Sequence, residues 1–135
     1  MELNSPPIRV LIVDDDTATL RLHNLAIKEA LIGTEQTVMF TECKSVKGAR
    51  NELYRKSNFK LLLLDGNLPD GGFADILDDT PLGEAHVCVI SSSEMTVSHA
   101  SNHESVHGAH IKPSDYDGTV ALFKKIVSEH LNNSN

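Results

Sequence analysis

Positive charge is scarce in this chain: 12 Lys and Arg stand against 19 Asp and Glu in 135 residues, a formal net charge of -7. Proteins that grip nucleic acid neutralise its phosphates, so this balance argues against DNA or RNA as a partner. Long hydrophobic runs are also missing. The most concentrated are residues 8–13, interrupted by Arg9, and residues 61–64; a bilayer needs about 20 apolar residues, so no membrane insertion is expected. The start carries Glu2, Pro6 and Pro7 and no basic stretch leading into an apolar one, so no secretory signal is visible and a cytoplasmic location is expected. Cysteine is limited to Cys43 and Cys88, which reads as two reduced, mainly structural thiols.

What is present is ordinary globular composition, 40% hydrophobic and 23% charged, in a length that suits one compact domain. Short apolar runs alternate with stretches of helical recurrence. Residues 8–13 read as a strand that stops abruptly at three aspartates, and residues 17–31 as a helix carrying Leu20, Leu22, Leu25, Ala26, Ile27, Ala30 and Leu31, with Gly33 as its stop. A second strand and helix follow at 37–41 and 46–54. Residues 59–64 form a continuous apolar run, as in a strand covered on both faces, ending at Asp65. After the loop at 66–72 come a short helical segment at 73–78 and a fourth strand at 87–90. A polar, weakly apolar helix is expected at 95–107, a short strand at 109–111 and a last helix at 115–131.

This alternation predicts a parallel five-stranded sheet with helices on both faces. In such sheets the ligand site lies beyond the carboxyl ends of the strands. The residues there are Asp14, Asp15 and Asp16 after the first strand, Asp65 after the third, Ser91 to Ser93 after the fourth and Lys112 after the fifth. Clustered carboxylates repel, and a bound divalent cation relieves that repulsion. An all-oxygen donor set favours Mg²⁺. A hydroxyl and an ammonium opposite the acids suit a tetrahedral dianion, and a carboxylate can itself be the nucleophile in phosphoryl transfer. Asp65, alone at the end of the most apolar strand, is the candidate nucleophile. Singly, each of these residues is better explained as a helix cap or a solvated charge; only their convergence on one edge points to chemistry.

In this order, IRVLIVDDD (8–16), LLLLDGNLPDGG (61–72), VCVISSS (87–93) and HIKPSD (110–115) resemble the receiver domain of two-component response regulators over nearly the whole chain. The resemblance implies a flavodoxin-like doubly wound α/β fold with strand order 2-1-3-4-5. It spans residues 8–131, leaving an N-terminal extension at 1–7 and a polar tail at 132–135. It further implies that Asp65 is the phosphoacceptor and that Asp14 and Asp15 hold Mg²⁺, together with Asp65 and the backbone carbonyl of Asn67. Asp16 becomes a bystander. Ser91 and Lys112 would contact the phosphoryl group, with Gly66 and Ser92 beside it, and Pro113 matches the proline after the lysine, often preceded by a cis peptide bond.

On this reading the chain is a stand-alone receiver with no effector appended. It takes its phosphoryl group from a sensor histidine kinase or a histidine phosphotransfer protein and catalyses its own transfer and dephosphorylation, with no external substrate. Output goes to a downstream protein through the fourth helix, fifth strand and fifth helix, or to a second copy in a phosphorylation-dependent homodimer. One departure concerns that output: Ala109 stands where the resemblance calls for a rotating aromatic, and its neighbour His110 should point to the opposite face. A phosphate sink or relay, or a constitutive binding module, are the rival readings. His99, His103 and His107 recur at i, i+4 and i+8 and would share one helix face, as a metal site or as a plain polar stripe.

Overall fold

The computed structural model describes residues 6–56 and 58–130. Five strands, β1 (Ile8–Val13), β2 (Val38–Cys43), β3 (Leu61–Asp65), β6 (His86–Ser91) and β7 (Gly108–Ile111), form one parallel sheet in the order β2-β1-β3-β6-β7. Counted along the five alone, that is the expected order 2-1-3-4-5. Two short strands, β4 (Asn67–Leu68) and β5 (Gly71–Gly72), pair antiparallel in the segment expected as a plain loop. The tail at 132–135 and most of the extension at 1–7 lie outside the described residues.

Period-two alternation along the buried strands sends side chains to both faces. Leu11, Val13, Leu62, Leu64, Val87 and Val89 face α2 (Val46–Arg55), α3 (Phe73–Leu77) and the buried Ala100 of α4 (Glu94–Ser101). Ile12, Leu61, Leu63, Cys88 and Ile90 face α1 (Thr17–Ala30) and α5 (Tyr116–His130). The two cysteines therefore lie on opposite sides of the sheet, both as free thiols. Burial pushes the Cys43 thiol up to about 11 and the Cys88 thiol up to about 12, so neither is a nucleophile at neutral pH.

Helix α3 has only five residues, too short to hold itself, and is held from outside. The Arg50 guanidinium of α2 donates to the carbonyls of Asp75 and Asp78, each at 2.9 Å, and to Thr80 Oγ1 at 2.8 Å. Tyr54 Oη donates to the Asp79 carbonyl, where the chain turns with a positive φ of 58°.

The helix expected at 95–107 is cut short. Helix α4 ends at Ser101, because Asn102 and His103 turn the chain and His103 Nδ1 accepts the Ser105 N–H at 3.1 Å. His99, His103 and His107 consequently share no helix face. His103 Nε2 donates to Asp78 Oδ1 at 3.0 Å and its ring edge meets Phe73, whereas His107 Nδ1 accepts the Val87 N–H at 3.0 Å. The three do not form a metal site among the described residues. No helix among those residues is long and apolar enough to cross a membrane.

Candidate functional site

Parallel register assembles the site. Val13 pairs with Leu64, so the next residues, Asp14 and Asp65, emerge side by side from β1 and β3. Asp65 pairs with Ile90, which sets Ser91 one step further along β6; Ser91 pairs with Ile111, and Lys112 follows. Two backbone bonds extend the ladders past the strand ends, Asp14 N to the Cys43 carbonyl at 3.0 Å and Lys112 N to the Ser91 carbonyl at 2.8 Å.

Asp14, Asp15 and Asp65 each place a carboxylate oxygen within 4.8 Å of the others. Asp14 is 2% exposed, whereas Asp15 is exposed. Lys112 Nζ lies 3.2 Å from Asp14 Oδ2, and Asp14 Oδ1 accepts the Asp16 N–H at 2.9 Å. One ammonium against three carboxylates leaves surplus negative charge, and hard oxygen donors at this spacing fit a small divalent cation such as Mg²⁺. The Asp65 carboxyl is held above its usual range, chiefly by burial and further by the charges of Asp14 and Asp15; the Asn67 N–H at 3.2 Å and Lys112 act in the opposite sense. A cation here would reverse that balance.

Ser91 is 1% exposed, and its Oγ accepts the Ser93 N–H at 3.1 Å, which leaves its own proton to donate. Ser92 sits exposed in the turn between them. Gly66 is buried directly after Asp65, and glycine is required by contact rather than by φ: a Cβ there would lie 2.4 Å from Thr96 Cγ2 and 3.1 Å from Ser91 Cβ. Asp16 caps α1 instead of joining the site, accepting from Ala18 N at 3.2 Å and Thr19 Oγ1 at 2.8 Å, which lowers its pKa.

Ala109 packs on the α2, α3 and α4 side of the sheet, while His110 lies with Gly108 and Cys88 on the other face, as the alternation requires. No cis peptide occurs among the described residues, so the Lys112–Pro113 bond is trans, unlike the cis bond the resemblance often carries.

Two neighbours of the site were not evident from strand ends. His23 of α1 lines a narrow crevice with Asp14, Leu63, Asp65 and Ile90, and its ring meets Phe123 of α5 edge-on at 5.1 Å. Burial pushes it down to about 4, so it is neutral at physiological pH. The signal was its spacing, three residues from Leu20 and four from Ile27 on the buried stripe. Thr96 of α4 is the second: its Oγ1 accepts from Asn67 Nδ2 at 3.2 Å. Nothing in the local sequence marks it.

No protein-family model matches the chain, and no curated protein matches it in sequence. Solved structures do. A two-component response regulator from Cytophaga hutchinsonii is 22% identical, with a TM-score of 0.67, covering 91% of this chain and 99% of its own. The response regulator domain of Thermotoga maritima CheB is 16% identical, with a TM-score of 0.72, covering 96% of this chain and 100% of its own. A two-component response regulator from Legionella pneumophila is 22% identical, with a TM-score of 0.63, covering 90% and 98%. The fold is that of response regulator receiver domains.

Proposed function

We propose that this chain is a phosphoacceptor receiver in which Asp65 takes a phosphoryl group from a phosphohistidine on a sensor histidine kinase or a histidine phosphotransfer protein. The observation that carries the reading is the register-driven convergence of Asp14, Asp15 and Asp65 with Ser91 and Lys112 on one sheet edge. A scaffold needs none of these groups. In the transfer, an Asp65 carboxylate oxygen attacks phosphorus, the P–N bond of the donor breaks, and its electron pair returns to the imidazole nitrogen, which takes a proton from solvent. Asp14, Asp15, Asp65 and the Asn67 carbonyl would hold Mg²⁺, which would supply positive charge against the charge on the transferring phosphoryl group. Lys112 leaves Asp14 for a phosphoryl oxygen, the Ser91 hydroxyl donates to another, and the N–H groups of Gly66 and Ser92 lie alongside.

Output is by protein contact across α4, β7 and α5, where Met95 is 70% and Ile111 46% exposed. The downstream partner is a protein or a second copy of this chain. Ala109 favours a second reading, a phosphate sink or relay in which the group is drained without conformational output.

Intact-mass measurement after incubation with acetyl phosphate and Mg²⁺ tests the proposal. A single phosphoryl adduct on wild type and none on Asp65→Asn is the expected result. Absence of an adduct on wild type, together with unchanged amide spectra under beryllofluoride, overturns it in favour of a constitutive binding module.

A further inference from the structure

We propose that Thr96 is the positioning residue that ties the loop carrying Asp65 to helix α4, so that a change at the acceptor reaches α4 without a rotating aromatic at position 109. The inference rests on Asp65 being the phosphoacceptor and goes on to say how that event is read out.

Thr96 sits in the first turn of α4, and each part of it is engaged. Its backbone N–H donates to the N-cap, Ser93 Oγ, at 3.2 Å. Its hydroxyl oxygen accepts from Asn67 Nδ2 at 3.2 Å. Its methyl occupies the space that a Cβ on Gly66 would need, 2.4 Å away. Thr96 thus meets both residues that follow Asp65. A β-branched side chain is stiff at χ1, and with both γ substituents in contact it cannot absorb a shift of residues 66–67 by changing rotamer. The displacement passes to the helix.

A second tie runs in parallel. Ser91 Oγ accepts the N–H of Ser93, the residue whose side chain caps α4. When Ser91 Oγ moves toward a phosphoryl group it keeps accepting the Ser93 N–H, so the capping residue of α4 is drawn with it at the moment the loop contact moves. On the loop side, Asp65 Oδ1 accepts the Asn67 N–H at 3.2 Å. Converting the carboxylate to an acyl phosphate removes its charge and makes it a poorer acceptor, so residue 67 is released from one partner while Thr96 still holds its side chain.

Helix α4 is suited to move. Ala100 is its one buried residue, so little of its side-chain surface is locked in the core. On the side of β7 that faces α4, Ala109 packs into the core. Where a rotating ring would couple strand to helix, position 109 offers none, and the Gly66, Asn67 and Thr96 contact links the loop after Asp65 to the helix.

The test compares wild type with Thr96→Val, which keeps the shape and loses the acceptor oxygen, and Thr96→Ser, which keeps the oxygen. Each is scored for the acetyl phosphate adduct by intact mass and for amide shifts of Val97, His99 and Ala100 on adding beryllofluoride and Mg²⁺. Unliganded spectra that overlay outside residues 66–67 and the α4 first turn establish that each variant is folded. The expected result is an adduct on all three proteins, full α4 shifts in wild type and Thr96→Ser, and shifts reduced by about half or more in Thr96→Val. Equal α4 shifts in Thr96→Val and wild type overturn the proposal, as does loss of the response in both variants, since packing alone would then decide it. No adduct on wild type overturns the phosphoacceptor reading itself, and is distinguishable because the Thr96 comparison presupposes one.

Discussion

Val87 is 0% exposed in β6, and its N–H finds its acceptor in a side chain: His107 Nδ1 at 3.0 Å, while its carbonyl accepts the His107 N–H at 2.8 Å. His107 stands one residue before β7 begins at Gly108, so its imidazole extends the ladder by one bond that backbone cannot supply. Leaving a buried N–H without a partner costs about 1–3 kcal/mol. His107→Ala is therefore expected to lose stability in that range in urea unfolding, with faster hydrogen exchange at the Val87 amide. A loss below about 0.5 kcal/mol, the ordinary effect of a surface substitution, would mean that water replaces the ring at no penalty. The spacing of the three histidines hides this role. Spacing at i, i+4 and i+8 suggested a helical stripe, yet His103 uses Nδ1 to end the helix and His107 uses it to begin the strand.

Among the elements, α3 depends most on a neighbour. Five residues cannot satisfy their own C-terminal carbonyls, and Arg50 accepts that task by reaching Asp75, Asp78 and Thr80 from α2. Hydrogen bonds from a charged donor are worth about 1.5–3 kcal/mol each in net stability at best, discounted here because Asp75 and Asp78 are exposed. Arg50→Ala should cost about 2 kcal/mol in denaturant and raise hydrogen exchange in α3 and at Thr80. All three bonds leave one nitrogen, Nη1, so Arg50→Lys, whose ammonium also offers three donors, should recover part of the loss; no recovery would show that the reach of the guanidinium decides it. The elements also mark the limits of what could be read beforehand. β1, β3 and β6 were legible because short, concentrated apolar runs that stop at Asp or Ser read as strands covered on both faces. The β4 and β5 pair was not, because each has two residues and no periodicity to display. The convergence of Asp14, Asp65, Ser91 and Lys112 on one edge followed from strand ends, whereas the Thr96 contact with Gly66 and Asn67 is tertiary and separated by 29 residues in the hydrogen-bonded pair.

For the whole molecule, the acidic edge is a source of instability that a ligand can relieve. With a net charge of -7, the chain holds three carboxylates within 4.8 Å against one nearby ammonium. The sign follows from Asp65, whose pKa is raised by burial first and by Asp14 and Asp15 after it. A raised carboxyl pKa means that the folded protein binds this proton more tightly than the unfolded chain does. Its effect on stability is therefore least harmful at low pH and most harmful above the folded pKa, which includes neutral pH. Two outcomes are expected in thermal melts at pH 7 with the metal chelated by EDTA. Asp65→Asn should melt above wild type, because a neutral amide removes one of the mutually repelling charges. Adding Mg²⁺ should then raise wild type by RT ln(1 + [L]/Kd), about 2.7 kcal/mol at 100 times the dissociation constant, and raise Asp65→Asn far less. A wild type that melts at the same temperature with and without Mg²⁺, and no higher than the variant in either condition, would mean that the three carboxylates hold no cation. The surplus charge would then be tolerated through solvent at Asp15, the exposed member of the cluster.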